Sequence, residues 1–279
     1  MTPAQIVLLV GGILIAFVIG SFTNVIIDRL PVELDEPNEF GELYDTRPWA
    51  EVLGGRSRCS SCGEPVRPSD NIPVVSWLLL RGRCRSCRAS IPPFHVLVEL
   101  LVPALTALAI AVVGVNHSLP MILWLIPVGV ATAVIDHRTL IVPTRLVWPA
   151  FAVSVVIAAV VSLVAGHADW LWGSAVGIAV FSGPLFLIWL IHPKGMGFGD
   201  VRLTVLLGWH VGFAAATADG RVMASVFLSV ACLAASAVIG LVYGLASVGL
   251  SRRHLPFGPA LVAATFVISL LAQQIIDPY

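Results

Sequence analysis

From Phe94 to Val115 the chain reads FHVLVELLVPALTALAIAVVGV, and this stretch decides the fold. It runs for 22 residues with Glu99 as its only formal charge. A helix rises 1.5 Å per residue, so about 20 apolar residues cross a hydrocarbon layer of about 30 Å with every backbone hydrogen bond closed inside the segment. Similar runs extend from about Ala4 to Ile27, Leu119 to Ile135, Leu146 to Ala165, Trp170 to Ile191, Val201 to Thr217, Val222 to Leu250 and Phe257 to Ile276. The expected fold is therefore all-α and polytopic, with about eight transmembrane helices. Hydrophobic residues make up 58% of the 279 and charged residues 11%. Soluble domains run at about 45–50% and about 25%, so a water-soluble globule and a disordered chain are both excluded. Sixteen Lys and Arg balance sixteen Asp and Glu, which leaves no basic surface for nucleic acid.

The charges flanking short connections orient the bundle, because Lys and Arg gather on the cytoplasmic side. With the N-terminus outside, Arg138, Arg145, Lys194, Arg202, Arg252 and Arg253 fall inside and only Arg221 falls outside. The opening MTPAQ lacks a cation and the run behind it exceeds a signal-peptide core, so the first helix is expected to be retained. The division that follows is a first helix (1–27), a cytoplasmic loop domain (28–93) and a membrane bundle (94–279). Trp170 and Trp172 are expected as interfacial anchors at a span end.

The loop domain is acidic first, with Glu33, Asp35, Glu36, Glu39, Glu42, Asp45 and Glu51. Such a lip can draw in a basic peptide or simply be solvated. Its second part is basic, which suits anionic lipid head groups of the surrounding bilayer. Within it lie Cys59-Ser-Ser-Cys62 and Cys84-Arg-Ser-Cys87, two pairs separated by 21 residues. Two such knuckles close a tetrahedral shell of four thiolates suited to structural zinc, with two disulfides as the alternative that a reducing compartment disfavours. With four protein ligands the metal would have no open position for water. Cys232, in the seventh span, reads as a small buried hydrophobe.

An ionisable residue in a span is costly and is a functional candidate by default. Asp136 ends the third span, Asp200 opens the sixth after Gly197-Phe198-Gly199, and Glu99 lies near the start of the second. On the topology above, Asp136 and Asp200 reach the same membrane boundary. Two carboxylates that meet hold one shared proton, so one can act as base on a water and the other as acid on a peptide, which is aspartic-protease chemistry. Helix dipoles assign the first ionisation to Asp200, at a helix N-terminus, and the proton to Asp136, at a C-terminus. Each aspartate alone also suits an interfacial ion pair or a cap. Gly197 and Gly199 would give the backbone unusual conformations and let a substrate strand approach, although a helix break would look the same. His210 is expected to be a hydrogen-bonded core histidine.

Together these residues resemble the type IV prepilin peptidases, membrane aspartic endopeptidases of bacterial pilus and type II secretion systems. The resemblance rests on six stretches in order. These are Gly20-Ser21-Phe22-Thr23-Asn24-Val25-Ile26-Ile27-Asp28-Arg29-Leu30-Pro31, the four cysteines with Arg81-Gly82-Arg83, Leu97-Val98-Glu99-Leu100, Asp136 with Ile141-Val142-Pro143, Gly197-Phe198-Gly199-Asp200, and Pro256-Phe257-Gly258-Pro259-Ala260. It implies that a prepilin or pseudopilin is cut after the glycine ending its basic leader, at the cytoplasmic face of the inner membrane. It also implies methylation of the new N-terminus from S-adenosylmethionine, with Asn24, Arg29 and Glu99 as candidate contacts to substrate or methyl donor beside a plain packing role. The chain departs from the family pattern at Thr144, where an aspartate is common, at Arg202, where a lysine is usual, at Asp28, where a tyrosine is common, and at Phe94-His95-Val96. A proton-coupled carrier using the same aspartates is the rival reading, and it predicts charged residues deep in several spans.

Overall fold

The structure is a computed structural model and describes residues 3–34, 44–193, 195–219, 221–248 and 256–276. Asp35, Glu36, Glu39, Glu42, Lys194, Arg252 and Arg253 lie outside the described residues. Among the described residues eight long helices follow the apolar runs: α1 (Pro3–Arg29) and, after a group of short elements that includes two short helices, α4 (Phe94–Val113), α5 (Leu119–Thr139), α6 (Thr144–Ala165), α7 (Asp169–Ile191), α8 (Phe198–Asp219), α9 (Val222–Val248) and α10 (Gly258–Ile276). All eight are long and apolar enough to cross a membrane. Pro103, Pro127, Pro149 and Pro184 sit inside four of them, which neighbouring helices in a bundle can absorb.

Between α1 and α4 a hairpin of β1 (Pro31–Glu33) and β2 (Tyr44–Thr46) leads into the short helices α2 (Trp49–Leu53) and α3 (Val75–Leu79). This loop domain is fastened to the bundle at several points. Val52 and Leu30 are fully buried together in the core that includes α1, α4 and α5. The indole of Trp49 donates to the carbonyl of Arg145 at 3.1 Å, which pins α2 to the first turn of α6.

α8 is the central helix, packed against α6, α7, α9 and α10 and touching α5. Its seam with α7 is made backbone to backbone. A Cβ on Gly177 would stand 2.2 Å from the Gly208 carbonyl oxygen, and one on Gly212 would stand 2.3 Å from that of Gly173. Gly173 and Gly177 are four apart on α7, and Gly208 and Gly212 four apart on α8, so two small-residue stripes face each other. In lipid no hydrophobic force drives helices together, and such stripes allow the close van der Waals contact that replaces it.

Three expectations need adjusting. Trp170 is turned into the core at 5% exposure, stacked on His167 and edge-on to Phe213, whereas Trp172 is 70% exposed as an interfacial residue would be. The third span extends to Thr139, so Asp136 lies within its last turn. The sixth begins at Phe198, so Asp200 lies in the first turn and Gly199 is helical. His210 is buried between the Leu206 carbonyl at 2.9 Å and Ser154 at 3.4 Å, and Cys232 is buried against Thr265. Both match the sequence reading.

Candidate active site

α5 ends at Leu140, which takes the left-handed conformation (φ 58°) and donates its N–H to the Asp136 carbonyl at 2.8 Å. Ile141 and Val142 then run buried to Pro143, where α6 starts. Gly199 packs onto this connection, and a Cβ there would lie 3.0 Å from that of Val142. The first turn of α8, which carries Asp200, is thus seated against the chain just after Asp136.

Asp136 is buried, 4% exposed as a residue, and its Oδ2 accepts the N–H of Gly258 at 2.9 Å. Gly258 opens α10, and its N–H is the N-terminal donor of that helix that meets the carboxylate, since Pro259 has no N–H and those of Ala260 and Leu261 donate to the Phe257 carbonyl. A Cβ on Gly258 would stand 2.7 Å from Oδ2, which is why the position needs glycine. Asp200 also lies at a helix N-terminus. The Gly258 N–H thus offsets the unfavourable end of α5 at Asp136 and weakens the dipole asymmetry expected between the two carboxylates. Gly197 and Gly199 both lack a positive φ. Their value is proximity: a Cβ on Gly197 would lie 3.5 Å from Oδ2 of Asp200, and Gly199 admits the α5–α6 connection.

Further contacts surround the pair. The Arg202 guanidinium donates to the Thr144 hydroxyl, joining the first turns of α6 and α8. These are two of the positions where the chain departs from the family pattern, and they are partners. Tyr243 on α9 is hydrogen bonded to Nδ1 of His137, next to Asp136. Asp28 bridges His95 at 2.7 Å and Arg138 at 3.5 Å, and Arg138 lies over the Phe94 ring at 3.6 Å. α1, α4 and the end of α5 are thereby tied beside Asp136.

Asn24, Arg29 and Glu99 are each bound to a different backbone segment. Asn24 donates to the His95 carbonyl at 2.9 Å, while its buried Oδ1 lacks a hydrogen-bond partner. Arg29 donates to the carbonyls of Val52 (3.2 Å) and Gly54 (2.8 Å), closing the end of α2. Glu99 accepts the Val74 N–H at 2.7 Å.

In the loop domain the four thiol sulfurs of Cys59, Cys62, Cys84 and Cys87 all lie within 4.8 Å of one another. The two knuckles repeat one design. The Cys59 N–H donates to Glu64 and the Cys84 N–H to Ala89, while Gly63 (φ +70°) and Arg88 (φ 61°) occupy matching left-handed positions. Cys59 and Cys87 sulfurs stand 3.8 Å apart, far beyond a disulfide bond and equal to the separation of about 3.8 Å that a tetrahedron with 2.3 Å zinc–sulfur bonds requires. Backbone N–H groups of Cys62 and Ser61 bring the Cys59 thiol down to about 6. At Cys62 the Glu64 backbone N–H acts in the lowering direction, but the Cys87 thiol, burial and the other two thiols prevail and push it up to about 12. Four sulfurs so crowded cannot all ionise without a cation between them, and the set fits a metal ion. A bidentate pair of Arg85 with Asp70 (2.6 and 2.7 Å) braces the segment between the knuckles and holds the Asp70 carboxyl below its usual range.

Comparison with known proteins bears on this geometry. Residues 14–113 match the Bacterial Peptidase A24 N-terminal domain and residues 120–245 match the Type IV leader peptidase family. A protein of Stutzerimonas stutzeri named prepilin leader peptidase/N-methyltransferase is 31% identical, covering 96% of this chain and 92% of its own. The chain belongs to the type IV leader peptidase family. Proteins of the same name from Aeromonas hydrophila (30%, covering 94% and 90%) and Burkholderia pseudomallei strain 1026b (32%, covering 90% and 82%) agree. The peptidase match contains both Asp136 and Asp200, and the N-terminal match contains all four cysteines. With its eight apolar helices, this family member is a multi-pass inner-membrane protein. No solved structure matches it.

Proposed function

We propose that this protein cuts the leader from prepilin-like substrates and methylates the new N-terminus, with Asp136 and Asp200 as the hydrolytic pair. The observation that carries the reading is that the Gly258 N–H of α10 meets Asp136 while the first turn of α8, which carries Asp200, packs through Gly199 onto the chain just after Asp136, all at one end of the bundle. One carboxylate removes a proton from water, and the resulting hydroxide adds to the peptide carbonyl. The other carboxylic acid gives its proton to the departing amine, and the pair is restored by proton exchange with water. The Gly258 N–H keeps the Asp136 oxygen aimed through this cycle. Gly197 leaves room for an extended peptide beside Asp200, whereas the space at Gly199 is taken by Val142 of the α5–α6 connection.

The substrate enters as an apolar helix with its basic leader on the loop-domain side, which is cytoplasmic with the N-terminus outside. The division into a first helix (1–27), a loop domain (28–93) and a bundle (94–279) belongs to the same proposal. Zinc is the metal best suited to Cys59, Cys62, Cys84 and Cys87, and four thiolates leave it a structural part. S-adenosylmethionine, when bound, supplies an electrophilic methyl group for the amine exposed by cleavage. Asn24, Arg29 and Glu99 are the residues considered for contact with substrate or donor, each also holding a backbone segment. The carrier reading lacks support: the family is one of peptidases, and the aspartates lie at helix ends. Mass spectrometry of a prepilin-like substrate incubated with the protein in liposomes tests the reading. A product starting after the leader glycine supports it, and a further methyl group appears when S-adenosylmethionine is added. An uncut substrate contradicts the peptidase, and a cut but never methylated product contradicts the second activity.

A further inference from the structure

α3 has no part in the catalytic account, and its surroundings are unlike those of a water-facing loop. Val74, immediately before it, donates its N–H to Glu99 at 2.7 Å. Glu99 is the sixth residue of α4, about 7.5 Å along that helix axis. The start of α3 is therefore held against the first two turns of a membrane-spanning helix. Val74 is kept at φ 62°, a conformation a β-branched residue rarely adopts, so the tether acts against backbone preference.

The outer side of α3 is apolar. Ile72, Val75, Leu78 and Leu79 are 51%, 47%, 61% and 77% exposed. α4 presents Leu97, Leu100 and Leu101 outward as well, and those side chains face lipid in any helix that spans the bilayer. The α3 patch is thus tethered to the part of α4 whose own outward side chains are apolar. Directly after it come Arg81 and Arg83, then Arg88, all exposed. Trp77 sits half-buried with its indole donating to the Ile91 carbonyl, the amphipathic ring typical of the interface.

We propose that α3 is an interfacial anchor: Ile72, Val75, Leu78 and Leu79 dip into the leaflet on the loop domain's side while Arg81, Arg83 and Arg88 rest on anionic phosphates. Apolar residues with an adjoining basic collar form the pattern of a segment lying in the plane of the interface. Because α3 lies within residues 63–83, between the two cysteine pairs, the anchor fixes the four-cysteine site at a set height over the bilayer.

The test places p-acetylphenylalanine at Leu79, couples a nitroxide to it so that the native cysteines are untouched, and reconstitutes the protein in nanodiscs of phosphatidylethanolamine and phosphatidylglycerol. Power saturation compares collisions with oxygen, which concentrates among acyl chains, and with a water-soluble nickel chelate. The anchor predicts oxygen in several-fold preference, as for a label at lipid-facing Leu97, and the reverse for a label at Arg56. Replacing phosphatidylglycerol with phosphatidylcholine should shift the Leu79 label towards nickel. A nickel-dominated label, or one protected from both reagents by contact with protein, overturns the proposal. A label that is water-exposed alone and protected only when a prepilin peptide is added assigns the patch to substrate instead. A label at Leu78 repeats the measurement, and thermal melting confirms that each labelled chain is folded.

Discussion

The N–H of Gly258 donates to Oδ2 of Asp136 at 2.9 Å, linking the first residue of α10 to the last turn of α5. A side chain at 258 would stand 2.7 Å from that oxygen, so Gly258→Ala must displace one or the other. A hydrogen bond to a charged group contributes about 1.5–3 kcal/mol, which corresponds to about 10–100-fold in rate. The expected result is a loss of kcat on that scale with KM for the prepilin little changed, read by steady-state cleavage in liposomes.

Thr144 and Arg202 form a second link, between the starts of α6 and α8. Thr144→Val removes the acceptor at a net cost of about 1 kcal/mol, or about fivefold in cleavage rate. Thr144→Asp replaces it with a charged acceptor and should retain full activity. Side-by-side assays of the two variants separate the hydrogen bond from mere packing.

The thiol cluster predicts one bound zinc per chain by elemental analysis, lost in Cys62→Ala and Cys84→Ala. Zinc binding to such a shell releases on the order of 10 kcal/mol, which becomes folding energy of the loop domain. Chelation should therefore open Arg81, Arg83, Arg85 and Arg88 to trypsin. The shape of the cleavage pH profile should not change, because the metal touches no reacting atom.

Along the α7–α8 seam, Gly177→Val drives a side chain into the Gly208 carbonyl, and overpacking of this kind costs about 1–3 kcal/mol or more. Gly183→Ala, on the same helix with open space around it, should be neutral. Thermal unfolding in detergent distinguishes them: a marked fall in Tm for the first and none for the second.

The spans were legible because twenty apolar residues leave a chain little choice, and the cysteine spacing alone foretold a four-thiol shell. What escaped the sequence argument depends on partners distant in the chain. The second helix end that addresses Asp136, that of α10, begins 122 residues later and is invisible in the pattern around Asp136. The paired glycines of α7 and α8 are a written signal, at four-residue spacing within apolar runs, that went unused. Thr144 and Arg202 looked like unrelated departures from a family pattern until the fold put one against the other. Asn24, Arg29 and Glu99 are each drawn to a different piece of backbone, and those partners are 71, 23 and 25 residues away in the chain.

The central claim is that Asp136 and Asp200 act as one hydrolytic pair. Its most direct test is cleavage of a prepilin-like substrate in liposomes by the unaltered protein, Asp136→Asn and Asp200→Asn, each shown to be folded by thermal melting. The account predicts cutting after the leader glycine by the unaltered protein and a loss of at least about 1,000-fold in both variants, the order expected when an essential acid or base is removed. Cutting by either folded variant at close to the unaltered rate would contradict it.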